Sequence, residues 1–165
     1  MTRREFEVTD QAVIRDILDG SKVLHLGLVD EGMPYVVPMN YGYKMDSGRL
    51  TLYLHSAVKG YKLDVIAKNP TCCFEMEMGV TPFEGKIPCQ NGITYYSLMG
   101  RGKAVLVEDV KEKEEAMTLL MKTQTGKDFE FNERLVSIVS VLRIDVSVYT
   151  AKHRPLPGQE PERKS

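Results

Sequence analysis

The chain has 165 residues, enough for one domain with a single core and too few for two. Hydrophobic residues make up 42% and charged residues 27%, which excludes wholesale disorder, and a formal charge of -1 gives no general attraction to nucleic acid or to an anionic membrane. No apolar run approaches the roughly 18 residues of a membrane span and none follows Arg3 and Arg4, so neither a span nor a signal peptide is expected, and the cytoplasm is the expected compartment.

Thr9 or Asp10 caps a first helix over 11–18, with Ala12, Val13, Ile14, Ile17 and Leu18 as its apolar face and Gly20 at its end. Strict alternation over 23–29 predicts a strand, and Asp30-Glu31-Gly32 turns the chain into a second strand over 34–43. Residues 45–48 turn it again. A third strand covers 49–55, with Leu50, Leu52 and Leu54 on one face and Thr51, Tyr53 and His55 on the other. Leu63, Val65, Ile66 and Ala67 suggest a short helix stopped by Asn69-Pro70. Alternation returns over 71–78. Residues 79–92 hold two Pro and three Gly and read as a long loop. A strand over 94–107 carries Gly100 and Gly102, where it should bend or bulge. A helix over 110–121 and a last strand over 136–149 complete a single domain over 1–150. The tail over 151–165 is polar, either disordered or laid over a neighbour. Six strands and three helices at the connections predict a mainly β protein, a small barrel with flanking helices.

Cys72, Cys73 and Cys89 have no CxxC spacing and read as free thiols. No metal site is expected. No G-x-S-x-G, H-E-x-x-H or Walker A motif occurs. Glu75 and Glu77 share a strand face and read as solvated or facing a dimer partner. His25 reads as structural and His153 as solvated.

The segment from His55 through Ser56, Ala57, Val58, Lys59 and Gly60 to Lys62 lies between a strand and a helix. A helix start offers free N–H donors and about half a unit of positive charge; two lysines and a glycine beside it would make a phosphate cradle. The same residues also fit an exposed lysine-bearing loop that caps a helix. On the second strand, Val36, Pro38, Asn40 and Gly42 make a narrow face against Tyr35, Val37, Met39, Tyr41 and Tyr43. That face is either a shelf for a flat ring system or a surface covered by a helix. Pro38 places the strand at an edge or a bulge. His55 either serves a phosphate, a flavin or a proton, or is satisfied by a backbone carbonyl.

These stretches resemble a known family. His25-Leu26-Gly27-Leu28, Pro34 to Gly42, Leu54-His55-Ser56-Ala57 with Lys59-Gly60 and Lys62-Leu63, Asn69-Pro70, and Ser97 to Gly102 are, in this order, similar to the flavin-binding split-barrel superfamily that includes pyridoxamine 5′-phosphate oxidase, and within it to the 5-nitroimidazole resistance proteins. The resemblance implies a six-stranded antiparallel Greek-key split barrel, a homodimer, and FMN between the subunits. It implies that Val37, Pro38, Met39, Asn40 and Tyr41 line the flavin ring. It implies that His55, Ser56, Ala57, Lys59 and Gly60, with Lys62, hold the phosphate, and that Tyr95 and Ser97 reach the flavin from the partner. Related oxidases carry Arg-Lys-Gly where this chain has Val58-Lys59-Gly60, so Lys62 stands in for the arginine. The implied activity is FMN-dependent reduction of nitroaromatic or other small oxidised substrates, with NADH or NADPH as donor and His55 as the catalytic residue. Two alternatives are an oxidase of a pyridoxal-like substrate and a non-catalytic module binding flavin, haem or deazaflavin.

Overall fold

The structure is a computed structural model and describes residues 4–159. A 3-10 turn at Arg4–Phe6 leads into β1 (Glu7–Val8) and then α1 (Gln11–Gly20). Asp10 caps α1, its carboxylate accepting from the Ala12 N–H at 2.7 Å. Val13, Ile14, Ile17 and Leu18 are buried, whereas Ala12 is exposed. Two hairpins follow, β2 (Leu24–Asp30) with β3 (Met33–Met39), and β4 (Tyr41–Asp46) with β5 (Arg49–Ser56). Their two-residue turns, Glu31-Gly32 and Ser47-Gly48, have φ of 50, 87, 49 and 80°, a left-handed geometry that matches the twist of the flanking strands. Then come α2 (Tyr61–Lys68), β6 (Thr71–Phe83), β7 (Gly92–Leu106), α3 (Val110–Thr125), α4 (Glu133–Val136) and β8 (Ser140–Arg154). Asp109 caps α3 on the Glu112 N–H at 2.8 Å.

The strands form one antiparallel sheet in the order β3-β2-β6-β7-β8-β5-β4, with β1 on β8. The hydrogen-bonded path is open. Its two edge strands, β3 and β4, are consecutive in the chain and separated only by Asn40, so the sheet has to coil until its edges meet there. Inside the coil lie Leu24, Leu26, Leu28, Leu50, Leu52, Leu54, Phe74, Met76, Leu98, Leu142 and Ile144, packed against Ile17 and Leu18 of α1. Truncating one of these leucines to alanine removes about 2–5 kcal/mol. Tyr53, Val107, Ala116, Met117, Val136 and Val141 make a second, smaller cluster under α3 and α4.

Eight strands replace the expected six for two reasons. The stretch 34–43 is two strands rather than one, because Pro34 and Pro38 confine β3 to a sheet edge and the chain leaves it at Asn40 to pair with β5 instead. The short β1 was not anticipated. The expected loop over 79–92 is largely a hairpin: β6 runs to Phe83 past a bulge between Met78 and Thr81, and pairs with the start of β7. The expected last strand starts four residues late, after α4, and runs past the domain boundary set at 150. Ala151–Arg154 pair with β7, so the tail begins after β8; residues 160–165 lie outside the described residues. The bulge expected at the glycines of β7 is present, between Arg101 and Gly102.

Candidate functional site

β5 ends at Ser56, and the next four residues lead to the start of α2 at Tyr61. Gly60 makes this turn possible, because at φ 156° and ψ 157° it occupies a region essentially closed to other residues. A Cβ there would meet nothing within 4 Å, so the space in front of the helix is open. No side chain caps α2, which leaves its first N–H donors facing that space. Lys59 is exposed and Lys62 half-buried at the same place. The Ser56 hydroxyl is turned away, donating to the Ala57 carbonyl at 2.9 Å. His55 is half-buried, and its Nδ1 is buried with no hydrogen-bond partner among the described residues. Burial and, secondarily, the charge of Lys62 hold its imidazole below its ordinary pKa. The helix is anchored to the first hairpin: Tyr61 Oη donates to Asp30 Oδ2 at 2.6 Å, and Lys68 reaches Asp30 Oδ1 at 3.4 Å.

Asn40 sits beside this cluster, one residue past the Tyr41–Leu54 pair just as His55 is. The alternation of β3 and β4 divides the residues expected to line a ring. Val37, Met39 and Tyr41 point inward, Tyr41 completely buried with its hydroxyl donating to the Leu18 and Ser21 carbonyls at 2.7 and 3.1 Å. Pro38 and Asn40 face out, the Asn40 amide reaching the Lys22 carbonyl at 3.5 Å and Gln124 Oε1 at 3.4 Å. The narrow face is covered by a helix over only part of its length. Val36 and Pro38 are open, whereas Gly42 lies under α3, where a Cβ would run into the backbone of Leu119 and Leu120.

Tyr95 and Ser97 are not brought to this cluster. They lie on β7, three strands across the sheet from Pro38, which at about 4.8 Å per strand is roughly 14 Å. Lys152 donates to Tyr95 Oη at 3.0 Å. Ser97 lines a second feature, a groove of about 890 Å³ on the outer face of β2, β3, β6, β7 and β8, walled by Val36, Met99 and Val148. These three are 62%, 56% and 54% exposed, large apolar side chains gathered on one face. Register puts Pro38, His25, Glu75, Met99 and Thr150 in one row across that face. His25 Nδ1 lies 3.3 Å from Glu75 Oε2 and 3.8 Å from Glu77 Oε2. The sequence reading left these three out of any site. His25 and Glu75 are 50 residues apart, and only the pairing of β2 with β6 joins them. The one available signal was that the two glutamates share a face.

No helix among the described residues is long and apolar enough to cross a membrane. No curated protein matches the chain. Among solved structures, a proposed 5-nitroimidazole antibiotic resistance protein from Bacteroides thetaiotaomicron is 32% identical, with a TM-score of 0.75 over 89% of this chain and 86% of that one. Two more distant structures share the fold. A flavocytochrome from Azotobacter vinelandii is 18% identical, with a TM-score of 0.73 over 95% of this chain and 73% of that one. An FAD and haem binding protein from Mycobacterium smegmatis is 16% identical, with a TM-score of 0.75 over 97% and 77%. The family model described as pyridoxamine 5′-phosphate oxidase matches residues 10–153, and the chain belongs to that family.

Proposed function

We propose that this protein is an FMN-binding flavoprotein that works as a homodimer and reduces nitroaromatic or other small oxidised compounds. The observation that carries the reading is the buried, unpartnered Nδ1 of His55 beside an uncapped helix start and two lysines. A buried polar atom without a partner costs about 1–3 kcal/mol, which a ligand group that bonds it would recover. That cluster fits a phosphate, and the surface next to it fits a flat ring.

Lys59, Lys62 and the first N–H groups of α2 hold the phosphate, and Gly60 lets the backbone approach it. Pro38, Asn40 and the backbone between Val37 and Tyr41 flank the ring; the inward side chains of Met39 and Tyr41 stiffen that strand from behind. When bound, FMN supplies hydride or electron transfer that no side chain here can perform. His55 Nδ1 holds or moves a proton at the cofactor's polar edge. Tyr95 and Ser97 complete the pocket from a second copy, because within one chain they are three strands away. The apolar groove wall is the surface that the second copy covers, with roughly 2,000 Å² or more buried in total. The resemblance of this chain to a proposed nitroimidazole resistance protein supports the substrate class.

Anaerobic titration of the FMN-loaded protein tests the reading. NADH or NADPH should bleach the flavin bands, and a nitroimidazole should restore them without oxygen. Reduction by dithionite but by neither nucleotide would remove the reductase reading and leave a flavin-binding module.

A further inference from the structure

We propose that His25, Glu75 and Glu77 form a binding site for a divalent transition-metal ion, with the ion's remaining coordination positions directed into the groove, which lies at the subunit interface of the proposed dimer. The inference does not rest on the flavin reading, since none of the three residues touches the cluster around His55.

The strand ladder builds the donor set. His25 and Glu75 face each other across β2 and β6, and Glu77 is two residues along on the same outward face. One donor atom from each residue lies within 4.8 Å of the other two. Two donors on one ion sit at most about 4.4 Å apart at the usual metal–ligand lengths of about 2.0–2.2 Å, so small side-chain rotations close the gap. These rotations are available, because the side chains are 40%, 34% and 39% exposed on the outer face of paired strands. One imidazole with two carboxylates suits borderline first-row ions better than calcium or magnesium, which prefer oxygen alone.

The charge around the cluster is unbalanced in the direction a cation would correct. Among the described residues, neither glutamate makes an ion pair with a lysine or arginine; their side chains meet His25 and each other. Lys152 shares a row with Glu77 and Ser97 but donates to Tyr95 instead. Three protein ligands leave at least one position of a four-coordinate ion to water or to a group of the second copy in the groove.

Cobalt(II) is the probe, added to the full-length protein after chelator treatment. Cys73 lies on the same outward face, so the Cys73→Ser variant is titrated in parallel. Binding should saturate at one ion per chain with weak visible bands, no thiolate charge-transfer band, and the same affinity in Cys73→Ser. His25→Gln, Glu75→Gln and Glu77→Gln should each weaken binding by more than the about 10-fold that losing an outer-shell partner costs. Glu84→Gln, on an exposed loop, should change nothing. Unfolding midpoints of the variants should match the wild type, since all three side chains are partly exposed. Absence of saturable binding, a thiolate band lost in Cys73→Ser, or binding unaffected by the three substitutions would each overturn the site.

Discussion

The cluster at the start of α2 and the groove on the outer sheet face are built from different materials, one mainly charged and the other mainly apolar. The first gathers positive charge: Lys59, Lys62 and a helix start with no side-chain cap, around an imidazole nitrogen that nothing in the described chain satisfies. The second gathers apolar surface with charges of both signs at its rim: Val36, Met99 and Val148, with Glu75 on one side and Arg101 and Lys152 on the other. A ligand that carries both an anionic group and a flat ring would set its charge against the first region and its ring along Pro38 and Asn40 beside it. One chain holds the two regions on different parts of the coiled sheet, and in the proposed dimer the second is the face that another copy covers. Family members that share only the fold can therefore differ in chemistry, because the fold fixes where the walls stand and the side chains decide what they accept.

The largest effect should come from breaking the groove wall. Val36→Glu with Val148→Glu places two charges on the surface assigned to the partner and should convert a dimer to a monomer that no longer retains FMN. Sedimentation with flavin absorbance reads both at once. A monomer that holds FMN as tightly as the wild type would mean that one chain suffices.

A smaller effect separates the inward residues of β3 and β4 from the outward ones. Tyr41→Phe strips a donor from two buried carbonyls, Leu18 and Ser21, and should cost about 1–3 kcal/mol of unfolding free energy, measured by denaturant titration. FMN affinity should stay unchanged, because the Tyr41 side chain points into the core. A loss of affinity without a loss of stability would place that side chain on the ligand instead.

How legible these regions were in the sequence follows from what each depends on. The strands and their two tight turns depend on neighbours two residues apart, and the alternation of Leu24, Leu26 and Leu28 or Leu50, Leu52 and Leu54 announces them. The loop before α2 is also local, so its glycine and lysines could be singled out. The groove depends on which strands pair. Nothing in His25 or Glu75 alone says that β2 lies against β6. The break at Asn40 was hidden because alternation continues through it; only the change of partner, from β2 to β5, reveals two strands. Ala151–Arg154 read as a tail because their charges mask a period-two pattern that the long β7 completes.

The smallest effect concerns pH. Burial and Lys62 hold His55 below its ordinary value near 6.5 in the folded protein. On acidification the unfolded chain takes up a proton that the folded chain refuses. The stability tied to this group is therefore full above about 6.5 and is lost as pH falls through the folded value. Without ligand, the unfolding midpoint should drop more between neutral and mildly acidic pH in the wild type than in His55→Gln. Equal drops in both would show that His55 is not held neutral by its surroundings.

Comparing FMN with riboflavin decides whether the start of α2 holds a phosphate. FMN carries about -1.5 to -2 of phosphate charge at neutral pH and riboflavin none. Each lysine contact should contribute roughly 1.5–3 kcal/mol. Fluorescence titration should show the wild type preferring FMN. Lys59→Met and Lys62→Met should each reduce that preference about tenfold or more, Lys59→Met the more strongly, while riboflavin affinity barely moves. A preference for FMN that survives the double variant would contradict the account and place the phosphate elsewhere on the molecule.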